Sequence, residues 1–119
     1  MKKKLEKRHI SLTHAQKYLE SENYKMAVLS FSKLIQTTPN LSAAQFGLGD
    51  SYFGQGDYDR AETAYRSGLK LSPLSPDGLY SLAATLRVKE QYEESIDVYK
   101  QAIDVEPDRF EAYWELAYS

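Results

Sequence analysis

Three of the four prolines, Pro39, Pro73 and Pro107, stand 34 residues apart, and this interval governs the whole chain. The same step carries Tyr24 to Tyr58 and Tyr92, Phe31 to Tyr65 and Tyr99, and Ala27 to Ala61 and Ser95. It also joins Ala15, Gly49, Ala83 and Ala117. Several series of matching size, locked to one register, are the mark of repeated supersecondary units that stack on one another. A unit this short cannot bury its own apolar stripe, so neighbours must cover it.

Inside each period the pattern is helical. Ala44, Leu48 and Tyr52 recur every fourth residue, as do Tyr58, Ala61, Ala64, Tyr65, Gly68 and Leu69 at three- and four-residue steps. Gly54-Gln55-Gly56-Asp57 breaks the first of these runs, and Asp57 is placed to cap the second. Ser75-Pro76-Asp77 places a hydroxyl cap, a first-turn proline and an early carboxylate at the start of another. The spacing predicts helix pairs over 8–21 and 24–37, 42–55 and 58–71, and 76–89 and 92–105, with a seventh helix begun at 110. Each helix is about 21 Å long at about 1.5 Å per residue. Proline ends every second helix, because it disfavours a helical residue before it. Ala15, Gly49 and Ala83 are expected where the helices of one hairpin cross closely, and Phe31, Tyr65 and Tyr99 between successive hairpins.

Composition narrows the function. Of 119 residues 42% are hydrophobic and 27% charged, which suits a globular chain, and there is no cysteine for disulfides, thiolate metal sites or a thiol nucleophile. The net charge of −2 argues against nucleic acid as a partner. Lys2, Lys3, Lys4, Lys7 and Arg8 form a basic start, with no apolar run behind it to make a secretory signal, and no stretch approaches a membrane span. A cytoplasmic location is the expectation.

Catalytic patterns fail on inspection. His9 and His14, five apart, fall on different helix faces, and His14 is expected to pack in a leucine register. Gly47-Leu48-Gly49 follows no strand and lacks the third glycine of a dinucleotide loop. Glu93 and Glu94 sit in a first helical turn, where they complement its dipole. The reading is of a non-enzyme with no cofactor and no metal.

The second repeat carries Leu48-Gly49, Tyr52, Ala61, Tyr65 and Pro73. With these the chain resembles tetratricopeptide repeat (TPR) proteins. The resemblance implies an all-α, right-handed α-solenoid of antiparallel helix hairpins. Its repeats fall at 8–41, 42–75 and 76–109, after a basic extension over 1–7, with the first helix of an incomplete fourth repeat over 110–119. The usual first-helix tryptophan is replaced by Ser11, Gln45, Leu79 and Tyr113, and His14 stands where other repeats have leucine.

In that family the first helices line a concave surface. The resemblance therefore implies that Leu12, Phe46, Tyr80 and Trp114, which share one register, face it. Gln16, Asp50 and Ala84 lie one turn onward, then Phe53 and Arg87. Such a ladder suits an extended peptide or an amphipathic helix. The competing expectation is that the ladder packs against neighbouring helices, or is covered by a segment beyond residue 119. Clamping of a chaperone's C-terminal carboxylate is not expected, since Leu12, Gln16, Gly47, Asp77 and Ser81 stand at the clamp positions and none is cationic.

Two functions follow. One is an adaptor or scaffold that binds a protein or peptide in the groove. The other is a structural spacer or self-association segment of a larger repeat protein, with the groove filled internally. Phe110, Tyr113, Trp114 and Leu116 would form an uncovered edge through which copies associate.

Overall fold

Three helical hairpins follow one another in the structure, a computed structural model that describes residues 12–107. Helix α1 occupies 12–20, α2 Tyr24–Thr37, α3 Ser42–Gly54, α4 Tyr58–Leu71, α5 Pro76–Val88 and α6 Tyr92–Val105. The described residues contain no strand. Consecutive helices pack on one another, and α3 also touches α5, so the odd-numbered helices share one side of the stack. This is an all-α helical repeat solenoid.

The hairpin turns are built alike. At each, two backbone bonds close the first helix. Glu22 and Asn23 donate to Leu19 and Tyr18, Gly56 and Asp57 to Phe53 and Tyr52, and Glu90 and Gln91 to Arg87 and Leu86. Such a closure needs a left-handed residue, and the three φ values are 61°, 78° and 65° at Glu22, Gly56 and Glu90. Only the middle repeat places glycine there, where the absent Cβ removes the steric cost.

The ends between repeats also recur. Thr38, Ser72 and Glu106 each donate their N–H to a carbonyl four residues back, at 2.8, 2.9 and 2.9 Å. Each then leaves the helical region, with φ between −137° and −139° and ψ between 75° and 81°, in keeping with the bar on a helical residue before the following proline. The two caps expected from sequence form: Asp57 accepts from the Arg60 amide at 3.3 Å, and the Ser75 hydroxyl from the Gly78 amide at 3.2 Å.

Alanines at the repeat register are sealed in the core. Ala15, Ala27, Ala61 and Ala83 have no exposed surface. Ser95 replaces the alanine of the third repeat and is equally buried, and its hydroxyl donates to the Ala83 carbonyl at 2.8 Å, which satisfies it. Phe31 is fully buried and Tyr65 and Tyr99 nearly so, each contributing about 1.5–3 kcal/mol through burial. Gly49 is small because the second helix of its own hairpin presses on it. A Cβ there would lie 2.6 Å from the Tyr65 ring of α4, which leaves no room for a side chain.

His14 does not pack as expected. It is exposed, whereas Leu82 in the same register of the third repeat is buried. Leu82 meets α4 of the preceding hairpin, and no described hairpin precedes α1.

Candidate functional site

Helices α3 and α5 share one side of the stack, and that side is tied to α4 through Asp50. Tyr65 rises from α4 so that its hydroxyl donates a short hydrogen bond to Asp50 Oδ1 on α3. Burial drives the Tyr65 hydroxyl far above the ordinary phenol value, reinforced by the charge and hydrogen bond of Asp50, while the Ser81 hydroxyl of α5 acts against it. The phenol is therefore a fixed neutral donor. Asp50 keeps an exposed outer edge, yet crowding around its carboxyl pushes its pKa above the ordinary value. The Tyr65 hydrogen bond opposes this shift, and the negative charge of Asp77 adds to it. The negative charge of Asp77 on α5 thus acts on Asp50 across the α3–α5 seam.

The expected aromatic ladder is placed differently. Phe46 is half-buried, with its ring in a slot between α4 and α5. A Cβ on Gly68 or Gly78 would come within 2.5 or 2.6 Å of it. Tyr80 is only 8% exposed, its hydroxyl donates to the Glu106 carbonyl at 2.9 Å, and its ring lies 6.5 Å from Tyr99. Leu12 is half-buried against the core of the first hairpin. These three side chains are engaged in helix–helix packing, and little of Tyr80 is left for a partner. The physical reason is that helix glycines open seats into which a neighbouring ring falls. Gly68 stands where the other repeats have Leu34 and Ala102, a signal that marked the seat in the sequence.

The remaining positions are polar or modest in size. Gln16 is exposed, and Ala84 and Arg87 are half-buried. Phe53 is half-buried edge-on to Tyr58, with ring centroids 5.1 Å apart at 71°. Trp114 lies outside the described residues, as do Phe110, Tyr113 and Leu116 of the expected association edge. Asp77 and Ser81 act on Asp50 and Tyr65, which sequence reasoning did not assign: it placed both among the failed clamp positions, and Asp77 also in the first turn of α5. No helix among the described residues is long and apolar enough to cross a membrane.

A charge network also ties α4 to α6. Glu62 of α4 accepts from Arg66 Nε at 2.9 Å and from Lys89 Nζ at 2.7 Å. Arg66 reaches on to Glu94 of α6 at 2.8 Å, and Lys89, just beyond α5, to Asp59 of α4 at 2.7 Å. Burial alone would push the Glu62 carboxyl up, but the hydrogen bonds and charges of Lys89 and Arg66 outweigh it and hold it below its ordinary value.

Comparison with known proteins places this geometry. One solved structure, the first TPR of Spaghetti (RPAP3) bound to the HSP90 peptide SRMEEVD, superposes with a TM-score of 0.91 at 20% identity, covering 95% of this chain and 90% of that one. A Thermobaculum terrenum O-GlcNAc transferase mutant matches with a TM-score of 0.84 at 26% identity, over 92% of this chain and 21% of that one. The cellulose synthase operon protein C of Pseudomonas fluorescens (strain SBW25) is 30% identical over 92 residues, which is 77% of this chain. The chain spans 7% of that relative's length. The tetratricopeptide repeat signature matches residues 12–76, 46–108 and 80–119 in overlapping copies. With hairpins, turns and packing residues recurring at one interval, the chain belongs to the tetratricopeptide repeat family.

Proposed function

We propose that this protein is a non-catalytic interaction module that takes an extended peptide or a helix on its concave face, and that it favours a basic or neutral segment over an acidic one. The observation that carries the reading is the Asp50–Tyr65 pair with Asp77 beside it: carboxylates of two different helices, one braced by a phenol that stays neutral. A lysine or arginine laid between them would relieve their mutual repulsion and gain charge-assisted hydrogen bonds.

The RPAP3 domain supports the general mode, since it holds a peptide on the same fold. Its peptide, SRMEEVD, carries three acids against one arginine. The same peptide would meet Asp50 and Asp77 here, and like charges in a groove reject such a ligand. The packing of Phe46 and Tyr80 shifts the contact surface towards Gln16, Asp50, Asp77, Ala84 and Arg87.

The test is selection from a randomised peptide library on the intact chain, followed by calorimetry on the enriched sequences. Enriched peptides should carry lysine or arginine, and Asp50→Lys with Asp77→Lys should abolish their capture while helical circular dichroism is unchanged. Enrichment of acidic C-termini, or capture indifferent to both substitutions, would reject the reading.

A further inference from the structure

A crevice between α4 and α6 has walls of opposite charge. Arg66 and Lys70 line it from α4, and Glu94 and Asp97 from α6. Leu69 and Pro73 add apolar surface on the α4 side, and Leu79 and Leu82 of α5 lie between the two walls. Helices α4 and α6 run in the same direction, because a short turn joins each to α5, on which both pack.

The Arg66–Glu94 pair at 2.8 Å spans the crevice and fixes which levels of the two helices face each other. Even so, its side chains stay 41% and 49% exposed. Lys70 lies four residues past Arg66, and Asp97 three past Glu94. At about 1.5 Å per residue they stand about 6 and 4.5 Å farther along the same direction, nearly level with each other. There the pairing stops. Lys70 and Asp97 are exposed, and neither joins a hydrogen bond or an ion pair among the described residues.

The neighbouring junction lacks this arrangement. One repeat back, the corresponding positions on α2 and α4 are Ser32, Gln36, Arg60 and Thr63, with a single charge among them. Opposed charged walls are therefore not something that the stacking of hairpins demands.

Two walls of opposite sign form a surface that is its own complement. A two-fold axis along the crevice lays the α4 wall of one molecule over the α6 wall of another, and the reverse, with the helices parallel. Lys70 of each copy then meets Asp97 of the other at one level, and Arg66 meets Glu94 at the next. An axis across the crevice would instead set α4 on α4 and α6 on α6, cations against cations and acids against acids. Charge selects the first axis.

We propose that this protein forms a two-fold symmetric dimer through the α4–α6 crevice, with Lys70 of each copy paired to Asp97 of the other. The same patch serves both copies, so the contact is closed and assembly stops at two. Leu69 and Pro73 of both molecules fall inside it. This dimer is separate from peptide capture beside Asp50. Self-repulsion is low at a net charge of −2. Exposed ion pairs are individually weak and are screened by salt, so the dimer is a low-affinity, salt-sensitive one.

Sedimentation equilibrium of the intact chain, at low salt and up to millimolar protein, tests this. The mean mass should rise towards twice that of the monomer and no further, and fall back in molar salt. Lys70→Glu and Asp97→Lys should each raise the dissociation constant by more than about tenfold, because symmetry places two like-charged pairs in the contact. An equimolar mixture of the two variants should dimerise about as well as the parent, since each substituted residue then faces an opposite charge. A monomer mass throughout overturns the proposal, and so does growth past the dimer. Dimerisation indifferent to both substitutions, which would use another surface, overturns it as well. So does a mixture that associates no better than either variant alone.

Discussion

The Tyr65 hydroxyl on α4 donates to the Asp50 carboxylate on α3, so a ring from the outer row of helices fixes an acid on the inner one. Phe31 fills this register in the first repeat and has no hydroxyl, and in the third repeat Tyr99 has one but Ala84 stands in the register of Asp50, so only the second repeat can make the bond. Tyr65→Phe keeps the ring on its Gly49 seat and removes the donor. It should cost about 1.5–3 kcal/mol in chemical denaturation, the range for a hydrogen bond to a charged acceptor.

The sign of the Asp50 shift gives a second expectation. Its carboxyl binds a proton more readily in the folded than in the unfolded chain, where the ordinary value is 3.8. The protonated form is the favoured one, so its contribution is complete below the unfolded value and is lost as pH rises through the folded one. At neutral pH the ionised group opposes folding. Asp50→Asn should therefore match or exceed the parent in urea melts at neutral pH, and lose that advantage as pH falls below about 4. A parent protein more stable than Asp50→Asn at neutral pH would contradict the shift.

Much of this fold could be read from the sequence because its determinants are local and repeated. The prolines and the caps at Asp57 and Ser75 act within one turn of the backbone, and α2, α4 and α6 start and stop at the expected residues. The side shared by the first helices was harder to read because register fixes a direction and not an occupant. Phe46 and Tyr80 belong to one register, which left both partner contact and packing on neighbouring helices open; the first falls into a slot left by Gly68 and Gly78, and the hydroxyl of the second donates to the Glu106 carbonyl. Both outcomes depend on residues more than 20 positions away. The left-handed turns at Glu22 and Glu90 were also hidden, because a glutamate gives no local sign of positive φ.

The Phe46 slot makes a test in which helix propensity and packing disagree. Alanine in place of a helix glycine normally gains up to about 1 kcal/mol. At Gly68 the added methyl would lie 2.5 Å from the Phe46 ring, which Gly78 pins from the other side. Gly68→Ala should thus destabilise by about 1–3 kcal/mol through overpacking. Phe46→Leu in the same background should recover part of this, so that the double mutant is more stable than the sum of the singles predicts.

Glu90 offers a stabilising change. It sits at φ 65° in the turn between α5 and α6, the position Gly56 fills in the second repeat. A side chain in the left-handed region costs about 1–2 kcal/mol, partly offset by the flexibility glycine adds to the unfolded chain. Glu90→Gly should raise stability by about 0.5–1 kcal/mol. Gly56→Ala should lower it, since the backbone there is equally left-handed, and the two measured together separate turn strain from loss of the glutamate charge.

Glu62 is the pivot of the ionic brace, accepting from both Arg66 and Lys89 with its side chain 19% exposed. Its carboxyl is held below the ordinary value of 4.5, so the stabilisation is present above that value and is lost as pH falls through the lower folded one. Glu62→Gln removes the charge that two cations share and leaves Arg66 with Glu94, and Lys89 with Asp59, as their remaining ion pairs. The expected cost is about 1–2 kcal/mol at neutral pH, for hydrogen bonds to charged groups in a partly screened site. The deficit should narrow in molar salt and close on acidification below about 4, as the parent carboxyl takes up its proton. Thermal melts of the two proteins across pH and salt would read this directly, and a deficit that ignores both variables would show that Glu62 acts through packing rather than charge.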